Sequence, residues 1–209
     1  SANLKKDMYL SANLFDITTI DAIKYFVNTD PNTTNPYLDG YRNTPHSTGS
    51  RGIEVEYKYK SKYGSIVAGY SMYTVQGKGV DEGNAVPGVR AATLGTARHK
   101  MSMMTSVNIS RKFYASLSAF YLSTRYAYTA VDAAGNGILS TLPQRLVTNV
   151  FAGANDLVKN CTMGIGIANL TDETILYPQA YNSLHAPLPG PGRELYIRFY
   201  YKIPFKEKK

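Results

Sequence analysis

The sequence predicts an all-β chain of antiparallel, up-and-down strands. Three observations carry the prediction: apolar and polar residues alternate with a period of two, turn-forming clusters separate the alternating runs, and the links between runs are alternately short and long. An amphipathic helix repeats every 3.6 residues and cannot produce the first pattern. The 209 residues suffice for one domain with a large core, and 44% hydrophobic against 18% charged residues excludes a disordered chain. The aromatic share is 18 Tyr and 7 Phe, with no Trp.

The runs follow in order. Met8, Leu10, Ala12 and Leu14 make the first. Ile53, Val55, Tyr57 and Tyr59 alternate with Glu54, Glu56, Lys58 and Lys60, and Ile66, Ala68, Tyr70 and Met72 follow. Met101, Met103, Thr105, Val107 and Ile109 face away from Ser102, Met104, Ser106, Asn108 and Ser110. Then come Phe113, Ala115, Leu117, Ala119 and Tyr121, a segment over 145–154 whose phase stays open, and Met163, Ile165 and Ile167 opposite Gly164, Gly166 and Ala168. The last run is the strongest, with Leu195, Ile197, Phe199, Tyr201, Ile203 and Phe205 interleaved with Glu194, Tyr196, Arg198, Tyr200 and Lys202. About eight strands result, at roughly 26 residues each with its connection, far above the 8–12 residue spacing of an ordinary sandwich.

Short links sit near Ser61–Gly64, Ser110–Lys112 and Asn155–Asn160. Long ones run over Asn28–Ser50, Gln76–Arg98, Thr129–Gln144 and Thr171–Gly192. Structureless loops of that length argue against a compact soluble domain. They suit an outer-membrane barrel, where short periplasmic turns alternate with long extracellular loops. Both termini then fall on the short-turn side.

The same alternation serves a soluble lipocalin-like barrel with its apolar residues inward, so the polar face alone does not decide. Loop asymmetry and Tyr57, Tyr59, Tyr63, Tyr70, Tyr73, Tyr200 and Tyr201 near strand ends favour a membrane barrel with an aromatic girdle. Its lipid-facing positions are Ile53, Val55, Tyr57, Met101, Met103, Leu195, Ile197, Phe199, Tyr201, Ile203 and Phe205.

Other classes drop out. The longest stretch without Asp, Glu, Lys or Arg, 174–192, contains Pro178, Pro187, Pro189 and Pro191, so no helix of about 20 apolar residues spans a membrane. A lone Cys161 supports neither a disulfide scaffold nor a zinc ribbon. The net charge of +8 is scattered singly and partly resides in a loose basic tail, 206–209, so nucleic acid is not an expected partner. No leader precedes Ser1, and the expectation is a mature chain, an excised segment, or one opening on a cloning remnant such as Ser1-Ala2-Asn3.

The tail from Pro187 to Phe205, with Arg193-Glu194-Leu195-Tyr196-Ile197-Arg198-Phe199 at its heart, resembles the closing strand of TonB-dependent outer-membrane receptors. Asn169-Leu170-Thr171-Asp172 resembles the penultimate-strand signature of that family, with Thr171 in place of the usual aromatic. Asn13-Leu14-Phe15-Asp16, Tyr41-Arg42-Asn43, Gly52-Ile53-Glu54-Val55-Glu56 and Arg98-His99-Lys100-Met101 resemble, in the family's order, an outgoing strand, its returning loop, the next strand and a later descending one. The resemblance covers about Met8 to Phe205. It departs from the family in the residues after Phe205 and in the absence of Trp.

The resemblance implies one barrel segment over 1–209 without the plug domain, part of a barrel of about 22 strands. It also implies a bacterial outer-membrane location and uptake of a scarce nutrient: an iron chelate, cobalamin or an oligomeric nutrient. The implied partners are outer-membrane lipid, that nutrient, and the TonB system acting through a plug. The alternative is a complete eight-stranded outer-membrane barrel serving as an adhesin or structural protein.

No catalytic residue, metal ligand or cofactor is expected. His46, His99 and His185 read as solvated loop histidines, and His99 and Ser102 fall on opposite strand faces, which separates the one candidate base from its nucleophile. Candidate ligand contacts are Tyr37, Tyr41, Arg90, Arg98, Arg125, Tyr128 and Tyr181, placed by the pattern in outer loops or the upper lumen.

Overall fold

The computed structural model describes residues 2–5, 7–26, 40–178 and 186–203. Fifteen strands occur: β1 (Ala2–Lys5), β2 (Met8–Thr19), β3 (Ile23–Phe26), β4 (Gly40–Asn43), β5 (Thr48–Ser61), β6 (Gly64–Thr74), β7 (His99–Asn108), β8 (Phe113–Leu122), β9 (Arg125–Val131), β10 (Gly137–Leu142), β11 (Arg145–Asn155), β12 (Cys161–Ala168), β13 (Leu176–Tyr177), β14 (Leu188–Pro189) and β15 (Glu194–Tyr201). Nine form one antiparallel sheet in the order β1-β2-β5-β6-β7-β8-β11-β12-β15. The other six pair as hairpins β3–β4, β9–β10 and β13–β14 within three of the four long connections.

The eight expected strands are present, and the period-two pattern sorts their side chains as read. Register carries one continuous row from Leu10 through Tyr57, Ala68, Met103 and Ala119 to Thr148, and another from Val107 through Ala115, Ala152 and Ile165 to Ile197. Ile53, Val55, Tyr57, Met101, Met103, Leu195, Ile197, Phe199 and Tyr201 therefore share one face, interrupted within the rows by Thr105 and Thr148. The 145–154 segment gains its phase, with Leu146, Val150, Ala152 and Ala154 on that face. Ile203 lies beyond the end of β15 and Phe205 outside the described residues.

Three readings change. A ninth strand, β1, pairs with the Met8–Leu10 end of β2; four residues are too few for alternation to register. The third long connection begins at Ser123, because β9 and β10 form a hairpin inside it. Tyr73 and Tyr200 pair with Gly52 and Thr162 on the polar face, so they do not belong with Tyr57, Tyr59, Tyr70 and Tyr201 in an aromatic girdle.

The sheet does not close on itself among the described residues. β1 pairs with Met8–Leu10 at the outer edge of β2, and β15 is paired only to β12. The sheet is one residue thick and encloses little. Val75, Val86, Ala97, Ala127 and Leu142, which make up most of the buried apolar set, lie instead in the long connections at one end.

Candidate ligand-facing surface

The polar face has three sectors. On β2 and β5, Asn13, Glu54, Glu56 and Lys58 form a charged patch, with Asn13 Nδ2 donating to Glu54 at 3.5 Å and Lys58 paired with Glu56 at 2.5 Å. In the middle, hydroxyl and amide groups dominate: Ser65 and Ser106 share a hydrogen bond of 3.1 Å, and Asn149 donates to Ser118 at 3.0 Å. The third sector, on β8 to β15, is aromatic. Tyr114, Phe151 and Tyr196 follow one another at ring-centroid distances of 5.9 and 6.0 Å, and the Arg198 guanidinium lies over Phe151 at 5.3 Å.

Glycines make this aromatic sector possible. The rings of Tyr114, Phe151 and Tyr196 lie against Gly153, Gly164 and Gly166, where a Cβ would overlap them, and Phe15 lies against Gly52 in the same way. Each ring covers a bare stretch of backbone on the neighbouring strand and fixes which residues stand opposite one another.

At the long-loop end, consecutive connections are tied together. Lys24 of β3 pairs with Asp81 of the second connection at 2.6 Å. Gly95 N–H of that connection donates to Tyr126 of β9 at 2.7 Å, and Arg125 Nη2 of β9 donates to the Leu176 carbonyl of β13 at 3.0 Å. Below them sits Asn169, with φ +49 and 4% exposed. Its side chain donates to the carbonyls of Glu173 and Pro191 and accepts from Glu173 N–H, while its own N–H donates to Asn149 Oδ1. Asp172 caps the same corner by accepting from Arg193 N–H at 2.7 Å. The Asn-Leu-Thr-Asp signature is thus a turn-forming device that leads β12 into the last connection. Its look-alike at Asn13–Asp16 lies within β2 and does something else: Phe15 covers Gly52, and Asp16 pairs with Lys78 and Arg51.

The expected contact residues divide. Tyr41 (77% exposed), Arg90 and Arg98 are exposed, Tyr41 set edge-to-face against Tyr25 at 5.3 Å, and Tyr128 is half-buried in β9. Arg125 is buried, with 5% exposure, and so cannot meet a ligand by simple surface contact; burial, opposed in part by Tyr177, pushes its guanidinium below the ordinary value. Tyr37, Tyr181 and His185 lie outside the described residues. His99 is engaged by the Tyr70 hydroxyl at 2.9 Å. No cluster of metal-ligating side chains occurs among the described residues. Glycine positions and the Asn169 corner were the functional framework that alternation did not expose; the period-two Gly164 and Gly166 opposite apolar residues were the available signal.

A sheet with one apolar and one polar face, short turns at one end and cross-tied long loops at the other, is the wall of a large antiparallel barrel of the membrane-spanning class. The chain belongs to the TonB-dependent receptor-like β-barrel family, whose family model matches residues 2–170. Among proteins with curated descriptions, none matches detectably. Solved structures with the same fold include the pyoverdine outer-membrane receptor FpvA of Pseudomonas aeruginosa bound to pyoverdine, at 13% identity and TM-score 0.75 over 94% of this chain and 27% of that one. They also include the ferric-catecholate import receptor Fiu of E. coli, at 16% and 0.66 over 94% and 25%. The FrpB iron transporter of Neisseria meningitidis matches at 15% and 0.64 over 94% and 29%. The chain spans about a quarter of the length of these receptors. The family is one of outer-membrane receptors rather than enzymes.

Proposed function

We propose that this chain is a wall segment, with its outer loops and closing strand, of a receptor that carries a scarce nutrient across the bacterial outer membrane. An iron chelate is the first choice, because the structural neighbours include receptors and transporters of pyoverdine, ferric catecholate and iron; cobalamin or an oligomeric nutrient are the others. The observation that carries the reading is the split of one sheet into an apolar face and a polar one beneath tied loops. The apolar face meets lipid, the polar face lines the lumen, and Tyr41, Arg90, Arg98 and Tyr128 meet the nutrient. The energy comes from the TonB system through a plug domain outside this chain. The alternative small closed barrel needs β2 and β15 to pair, and β1 takes the Met8–Leu10 part of that edge of β2.

Growth of a strain lacking the gene tests the reading. Loss of growth on one iron chelate as sole iron source, restored by the intact gene, is the expected result. Unchanged growth on iron chelates and cobalamin, with altered adhesion instead, would overturn it. Maleimide labelling places the loops: a cysteine at Ala134 or Arg90 should label on whole cells, and one at Lys112 should not.

A further inference from the structure

The receptor reading leaves Arg125 unexplained. Among the described residues it is the charged side chain held at this depth, opposite Leu142 across the β9–β10 ladder. Its Nη2 donates to one neutral acceptor, the Leu176 carbonyl, and its Nε has no partner. A buried cation is costly unless an anion or several acceptors replace its water. Among the described residues no carboxylate pairs with Arg125: Glu173 is engaged by Arg145 at 3.3 Å, and the Arg145 guanidinium acts on Arg125 as a like charge.

We propose that Arg125 is a recessed receptor for a single carboxylate or phosphate group, which takes the place of the Leu176 carbonyl. Nε and Nη2 lie on the same edge of the guanidinium plane, the edge that two oxygens of such a group fill side by side. At present that edge holds one neutral oxygen, at Nη2, and Nε has no partner. A charged, two-point partner outcompetes a single carbonyl, so exchange is favourable wherever an anion reaches the edge. The exchange has a mechanical result. β13 is held to β14 by only two register pairs, Leu176 to Pro189 and Tyr177 to Leu188, beside the Gly190 N–H to Ile175 carbonyl bond of 2.7 Å. Releasing Leu176 loosens the last connection just where it leaves the Asn169 corner.

This deepens the receptor reading by naming the chemistry its loops select, and its test reads anion binding rather than uptake. Hydrogen exchange of the full-length protein carrying this segment, reconstituted in vesicles, is followed with citrate or inorganic phosphate against chloride at equal ionic strength. Exchange at Ile175–Tyr177 and Gly190 should rise about 3- to 10-fold with anion. Arg125→Lys should raise the anion concentration needed about tenfold, and Arg125→Met should remove the response. A response to citrate alone assigns the site to a carboxylate-bearing nutrient, and a response to phosphate alone to a phosphate group. No response to either anion in the native protein, or an equal response in Arg125→Met, overturns the proposal. Unchanged growth of the deletion strain on iron chelates and cobalamin with the anion response intact would count against the receptor reading and leave the site standing.

Discussion

Replacing Ile197 by Arg tests the lipid-facing assignment most directly. Ile197 is 79% exposed and stands in register with Ile165, in a row that continues through Ala152 and Ala115 to Val107. On β15 the apolar face runs from Leu195 to Tyr201, about 20 Å at roughly 3.3 Å per residue, which puts Ile197 about 7 Å from one end and about 13 Å from the other. That is close to mid-depth, where an Arg costs about 2–4 kcal/mol in a membrane barrel, against roughly 0–1 kcal/mol near the interfaces. At about 1.4 kcal/mol per factor of ten, the folding equilibrium constant should fall roughly 30- to 1000-fold. Tyr200→Arg is the control, since Tyr200 points to the other face opposite Thr162 and is 62% exposed. Tyr196→Arg is a poor control: it would uncover Gly166 and set a second cation beside Arg198. The assay is urea unfolding of the full-length protein in lipid vesicles. Equal penalties at 197 and 200, or a larger one at 200, refute the assignment of faces.

Three further outcomes are expected. Gly166→Val should destabilise the folded protein by about 1–3 kcal/mol, because its side chain displaces the Tyr196 ring, and Tyr196→Ala added to it should recover part of the loss in the same unfolding assay. Asn169→Ala should lower the protection of 169–175 in hydrogen exchange by about 2–4 kcal/mol, since it strands buried backbone groups of Glu173 and Pro191 and forces Ala to a positive φ; Asn169→Gly should cost less. At the β9–β10 tip, Asp132 accepts from the backbone and side chain of Asn136 and from the Ala134 backbone, which holds its carboxyl below the usual range. A lowered native value means the unfolded hairpin binds more protons, so the tip's stability is whole above about pH 4 and falls as pH drops further. Exchange at Ala134 and Asn136 should speed up only at low pH, and Asp132→Asn should remove that dependence.

Alternation made the wall legible because each side chain in a strand reports its face by position alone. One register slip would have inverted every assignment, and none occurs between β2 and β15. Local signals ran out where structure depends on pairs far apart in sequence. Nothing near Gly164 announces Phe151, and nothing near Arg125 announces Leu176. The loop hairpins were missed for a different reason: β3, β4, β13 and β14 have two to four residues each, too short for a period to show. The β9–β10 hairpin was within reach, since Asp132-Ala133-Ala134-Gly135-Asn136-Gly137 is a turn sequence between two alternating runs.

The placement of the buried apolar residues has a consequence for how the protein comes apart. Val75, Val86, Ala97, Ala127 and Leu142 exclude water from the outer connections in the way an ordinary soluble fold does, so heat and urea act on that layer through exposed apolar area and its heat capacity. The strands below hold no such interior. Their cohesion depends on backbone pairing made compulsory by hydrocarbon, and it weakens when the hydrocarbon is replaced rather than when the water is. A change of detergent and a change of temperature therefore probe different storeys of the same chain. A thermal transition recorded in solution reports the upper storey, while a lipid-composition series reports the lower.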